Sequence, residues 1–273
     1  MGFMRQDADT KSENPRPNMF RTIRIAILLA ILAYVSVGSW LTRARTTSWE
    51  KPLHVAIYPI NADRSVRSAA YIRELREAHF KDIETFVARE ARRYDLTIEQ
   101  PIDVHLAPEL HRIPPQAPQY GNPLEAMYWS LQFRFWAWVN DDIPGVTPDV
   151  RMFVQFHDPY VEEFVAHSVG LQKGLIGLVQ AFADPAQSDQ NNVVIAHEFL
   201  HTVGATDKYA AGSNHPYFPD GYAEPNLEPG VPQRLAEIMG GRIPQTDRAA
   251  IIPDSLAQVI IGEQTAREIN WRR

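Results

Sequence analysis

Eleven consecutive residues, His197-Glu198-Phe199-Leu200-His201-Thr202-Val203-Gly204-Ala205-Thr206-Asp207, hold the side chains of this chain best placed for chemistry. Residues four apart lie on one face of a helix, so the imidazoles of His197 and His201 can share a metal ion. Glu198 sits beside the first of them, where its carboxylate can reach a metal-bound water instead of the metal. Gly204 tolerates the left-handed backbone that ends a helix and turns the chain back. Asp207 then follows at a spacing that lets it swing under the ion and complete an open, three-ligand zinc site. Such a set supports metal-assisted hydrolysis. Zinc polarises a carbonyl and its bound water, while Glu198 takes the water's proton and returns it to the leaving group. His215, Glu237 and Glu263 compete for the third ligand position. His54, His79, His105, His111, His157 and His167 have no ligand spacing and read as structural or surface residues.

The pattern HExxHxxGxxD resembles the metzincin clan of zinc metalloendopeptidases, most of which carry His, and a minority Asp, at the last position. Glu237-Ile238-Met239-Gly240-Gly241 is similar to the methionine-containing turn of that clan, with Met239 placed 32 residues after Asp207. Asp207-Lys208-Tyr209 also looks like an extension found in some secreted bacterial metallopeptidases. The resemblance covers about residues 185–240. It implies one catalytic Zn2+ on His197, His201 and Asp207, Glu198 as the catalytic base, and Gly204 and Met239 as structural support. It further implies a peptide or protein substrate, paired along an edge strand for which Gly177–Ala183 is the candidate. Two departures matter. No Tyr follows Met239, so Tyr209, Tyr217 or Tyr222 would have to supply any phenolic partner. A carboxylate as third ligand also leaves the ion less electrophilic and the reaction more dependent on Glu198.

The elements that must position these groups alternate between strand-like and helix-like patterns. His54–Ile60 reads as a strand. Ile72, Leu75, Ile83, Val87 and Ala91 recur at helical spacing within one helix from about Ser68 to Tyr94. Ile102, Val104 and Leu106 alternate as a strand, and Asn122-Pro123 opens a helix running to about Val139. That helix is rich in aromatic residues (Tyr128, Trp129, Phe133, Phe135, Trp136, Trp138), which read as core packing. Met152, Val154 and Phe156 mark a strand, as does Gly177–Ala183. Asp189, Asn191 and Asn192 offer caps for the motif helix, whose run Val193-Val194-Ile195-Ala196 would be buried. Residues 210–232 form a loop dense in Pro and Gly, where Asp220 and Glu224 read as solvated rather than as Ca2+ ligands. Ile252-Pro253-Asp254-Ser255 can start a final helix to about Trp271, with Leu256, Val259, Ile260 and Ile269 on its apolar face. The fold class this predicts is α/β and metzincin-like: a twisted mixed sheet with an active-site helix and a C-terminal helix.

A transmembrane helix is expected ahead of that domain. Ile25–Leu41 runs seventeen residues without a charge, roughly 25 Å of helix. Five basic residues in 1–24 against three in 42–60 predict a cytoplasmic tail (1–24), a signal anchor (25–41), a linker (42–51) and an extracytoplasmic domain (52–273). The alternative is a cleaved signal peptide, with Ser36, Gly38 and Ser39 near the cut and a secreted product. The 273 residues include no Cys, which excludes disulfide scaffolds, Cys-ligated zinc and thiol nucleophiles. With 27 basic and 33 acidic residues the net charge is −6, which argues against a nucleic-acid partner. Two other functions stay open: a membrane-tethered zinc-binding scaffold without proteolysis, and a metal hydrolase acting on a different amide.

Overall fold

The computed structural model describes residues 21, 23–30, 32–33, 47–118, 122–141, 143–145, 147–161, 168–172 and 174–272. The chain divides into two units, Met1–Thr42 and Arg43–Arg273. In the first, residues 21, 23–30 and 32–33 are helical, with exposed side chains. No helix among the described residues is long and apolar enough to cross a membrane. Residues 31 and 34–46, which include most of the second half of the expected anchor, the first half of its linker (42–46) and the candidate cleavage site, lie outside the described residues, as does His167.

The second unit is built on a five-stranded mixed sheet in the order β2-β1-β3-β5-β4. Its strands are β1 (Leu53–Asn61), β2 (Ile102–Leu106), β3 (Val150–His157), β4 (Val169–Leu171) and β5 (Ile176–Phe182). All neighbours are parallel except β4, which runs antiparallel to β5. β1 and β3 are apolar on both faces because helices cover both faces, the usual state of a parallel sheet. One face carries Val55, Ile57, Val154 and Val179 against the helices α1 (Val66–Glu74), α2 (Lys81–Arg93) and α4 (Ser188–Val203). The other carries Ala56, Tyr58, Phe153 and Leu178 against α3 (Pro123–Val139).

Several sequence expectations change. The helix expected from Ser68 to Tyr94 is broken: Leu75 turns to an extended conformation (ψ 141°), and a single turn at Glu77–Phe80 leads into α2. The break lets Glu77 and Glu84 face β2, where they accept from the amides of Leu106 (3.4 Å) and Val104 (2.8 Å). Gly177–Ala183 is not an edge. It matches β5, which is paired on both sides, and the edge is the three-residue β4, too short to give a periodic signal. α3 packs Trp129, Phe133 and Ala137 into the core, but Tyr128, Phe135 and Trp138 face outward at 64%, 66% and 74% exposure. Its aromatic residues are therefore only partly core.

The long C-terminal helix is also absent. Its apolar positions fall instead in a turn at Leu256–Gln258, strand β9 (Val259–Ile260) paired with β6 (Ala236–Glu237), and a short helix α5 (Glu263–Glu268). A second small ribbon pairs β7 (Ile243–Pro244) with β8 (Ala250–Ile251). Backbone demands from α2 draw this segment straight. Arg89 donates to the carbonyl of Val259 (2.5 Å), and Tyr94 to that of Ile261 (2.8 Å). The buried carboxylate of Glu90 accepts from the Ile261 amide (2.9 Å) while pairing with Arg93 (2.7 Å). Glu90→Ala orphans that buried amide, so it should lower stability by about 2 kcal/mol. Urea unfolding reads this as a lower midpoint at unchanged slope.

Candidate metal centre

α4 is held from both ends. Before it, a turn at Pro185–Gln187 is capped by Asp184, which accepts from the Ala186 amide (2.9 Å). Asp189, Asn191 and Asn192 lie inside the helix rather than capping it. Asn191 accepts from the Phe182 amide (3.1 Å) and donates to its carbonyl (2.9 Å), tying α4 to the end of β5. Asn192 donates to the His79 carbonyl (2.8 Å). Ile195, Phe199, Leu200 and Val203 bury the opposite face. The helix ends where expected, at Gly204 in the left-handed region (φ +119°). α4 also crosses β4 at very short range. A Cβ on Gly170 would stand 2.5 Å from the Glu198 carbonyl oxygen and 2.5 Å from His201 Cβ, so glycine is required there.

The motif side chains converge. His197 Nε2 and His201 Nε2 are 3.1 Å apart, and Asp207 Oδ1 lies 3.1 Å from each. These edges are close to the ~3.3 Å that separates neighbouring ligands around a tetrahedral zinc with bonds of ~2.0–2.1 Å. Both Nδ1 atoms face backbone carbonyls, His197 that of Ile238 (2.8 Å) and His201 that of Ala205 (2.9 Å). A carbonyl can only accept, so each Nδ1 carries a proton, and each ring in its neutral form would turn the Nε2 lone pair inward. Two lone pairs and a carboxylate oxygen at such distances repel one another unless a cation sits among them.

Glu198 is 5% exposed, and its Oε2 is buried without a hydrogen-bond partner. The Gly170 backbone runs alongside it. A carboxylate oxygen of Glu198 lies within 4.8 Å of a nitrogen of each histidine. An orphaned buried oxygen beside three converging ligand atoms fits a metal with a bound water, which would satisfy it. Burial pushes the Glu198 carboxyl up, partly offset by the two histidines. Burial alone would depress the His197 imidazolium, but its bond to Asp207 and the charge of Glu198 outweigh that and hold it up at about 9. Burial likewise opposes ionisation of Asp207, yet the bonds from His197 and His201 hold it well below the usual carboxylate range.

Asp207 is delivered by a brace that sequence reasoning missed. Glu268 of α5 accepts from the Thr206 amide, the Thr206 hydroxyl and the Lys208 ammonium, each at 2.9 Å. The Lys208 amide donates to the Met239 carbonyl (2.8 Å). The turn Ile238–Gly240 thus touches both ligand-bearing segments, through Ile238 to His197 and through Met239 to Lys208. Met239 is fully buried, and Gly241 closes the turn at φ +70°. Beneath it Glu237 accepts from Gly240 (2.8 Å), Gly262 (3.0 Å) and Thr265 (2.7 Å).

The rival ligands have other partners. Glu237 is committed to that cap, and Glu263 to Arg267 and Arg272. His215 is held between the carbonyls of Pro216 and Thr246. In the loop, Glu224 pairs with Arg234, and Asp220 is exposed. Of the three tyrosines weighed, Tyr209 stands at the centre, its ring 6.3 Å from that of His197. Burial, then the Asp207 and Glu198 charges, push its phenol up, so it stays a proton donor. Tyr209, His197 and Glu198 line a cavity of about 340 Å³ with Val193, Val194 and Ile252.

Compared with known protein families and with curated proteins, the chain matches none. Its chemistry is therefore read from the geometry. Because His197 is protonated at pH 7 without metal, zinc binding should release about one proton per centre, and zinc affinity should rise with pH until about 9. Titration calorimetry in buffers of different ionisation enthalpy measures this. Uptake without proton release would mean the cluster is already neutral.

Proposed function

We propose that the protein is a zinc-dependent endopeptidase of metzincin type, with Glu198 as general base and His197, His201 and Asp207 as metal ligands. The observation that carries this reading is the unpartnered buried oxygen of Glu198 beside three converging ligand atoms. A purely structural zinc site has no use for that oxygen, which weighs against a non-catalytic scaffold.

Bound zinc would supply Lewis acidity to a carbonyl and acidify a water. Glu198 accepts the proton of the attacking water and later passes it to the leaving amine, its raised affinity for the proton suiting both transfers. Tyr209, kept protonated, donates toward the oxygen on which charge develops. β4 is the sheet edge above α4, and an extended peptide adding to that edge would lay its backbone along Glu198. Val193, Val194 and Ile252 offer an apolar wall to a neighbouring substrate side chain.

Cleavage of a peptide library, abolished by a chelator, is the direct test, and it separates this reading from hydrolysis of another amide. Glu198→Gln should leave zinc content unchanged and lower kcat about 10³-fold. Asp207→Ala should lose one equivalent of zinc together with activity. Undiminished turnover by Glu198→Gln would remove that residue from the mechanism.

The run Ile25–Leu41 belongs to the same proposal as a tether that places residues 52–273 outside the cytoplasm. The full chain should stay with membranes through an alkaline carbonate wash, and release would leave the secreted form instead.

A further inference from the structure

A second group of ligand-type side chains lies at the other end of the sheet. In the parallel register of β1 with β2, His54 stands opposite Asp103 and Ala56 opposite His105. Side chains two apart on a strand share a face, so Asp103 and His105 project to the same side, next to His54. Their polar atoms meet. His54 Nδ1 is 3.1 Å from His105 Nε2, and Asp103 Oδ2 is 3.5 Å from the first and 3.2 Å from the second. These edges bracket the ~3.3 Å expected about a tetrahedral zinc, to which those around Asp207 also lie close.

We propose that His54, Asp103 and His105 form a second divalent-cation site, independent of the centre on α4. Two imidazoles and one carboxylate select a borderline transition metal such as zinc over calcium or magnesium, which prefer all-oxygen shells. His54 and Asp103 are about two-fifths exposed and His105 one-fifth, so an ion can enter from solvent and keep water in its remaining positions. The far side of His105 is served as well: Glu77 Oε1 lies 3.8 Å from its Nδ1, on the side where a carboxylate orients a metal-bound imidazole. β2 and β4 are opposite edges of the sheet, with three strands between them. The ion would cross-link β1 to β2 and favour the folded chain by binding only to it. The competing explanation for the same distances is a hydrogen-bonded Asp–His–His cluster without metal.

The test uses the full chain and zinc alone, with metal counted by elemental analysis after equilibration at micromolar free zinc. Wild type should hold two equivalents. His105→Ala, Asp103→Asn and His105→Gln should each hold one while keeping the wild-type circular dichroism spectrum, so that misfolding in any one variant is recognised. His201→Ala should also hold one, and adding His54→Ala to it should leave none. In the His201→Ala background zinc should raise the thermal midpoint, and that rise should vanish with His54→Ala. One equivalent in wild type that is lost with His201→Ala, or two equivalents retained by the folded His105 variants, overturns the second site. Loss of peptidase activity is not the readout, so failure of the proposed catalysis and failure of this site are distinguishable.

Discussion

Everything at the centre depends on two hydrogen bonds that hold imidazole rings by their outer nitrogens. The carbonyls of Ile238 and Ala205 fix Nδ1 of His197 and His201 as donors, and so turn both Nε2 lone pairs toward the same point. Without those carbonyls either ring could flip its tautomer and donate to Asp207, giving an ordinary neutral cluster. With them, the arrangement is electrostatically unfavourable until a proton or a metal ion enters. The upward shift of His197 and the downward shift of Asp207 express the same tension, because a proton is the cation at hand when no metal is bound.

Supplying those two carbonyls is a problem of chain path. Ala205 follows directly from the left-handed turn at Gly204, so helix termination and ligand orientation are one event. Ile238 arrives from more than thirty residues later, on a turn fixed by the buried carboxylate of Glu237 and by Gly241. Asp207 is set between Thr206 and Lys208, both bound by Glu268. The short α5 thus acts on the centre without touching it. Its remoteness from the motif in sequence is why no spacing argument finds it.

What the sequence made legible follows from locality. His197, His201, Gly204 and Asp207 sit within one helix and its stop, so helical periodicity alone brings them together. β1, β2, β3 and β5 were legible because each is long enough to show an apolar pattern. β4 is not, since three residues around Gly170 carry no period, and the apolar pattern points to the interior strand β5 in its place. The C-terminal segment failed for the opposite reason. Leu256, Val259, Ile260 and Ile269 do follow a helical period, but Arg89, Glu90 and Tyr94 claim its backbone and draw it straight. Tertiary hydrogen bonding overrode local pattern there. His54 and His105, 51 residues apart, have no ligand spacing in the sequence. Only the register of two parallel strands, invisible to spacing, makes them neighbours.

The two edges of the sheet are treated differently, and that difference bears on the proposed function. An open edge invites pairing with any extended chain, so a fold must cover it or use it. At β2, Glu84 and Glu77 occupy the outward amides of Val104 and Leu106, so no strand can add there. Carboxylates at that edge also leave the neighbouring Asp103 and the two histidines in surroundings that favour a cation. At β4 the chain takes the other course: the edge is short, lacks bulk at Gly170, and lies directly against the helix that carries Glu198. A closed edge at one end confines strand addition to the other, and the strand so added would lie along the buried, unpartnered oxygen of Glu198.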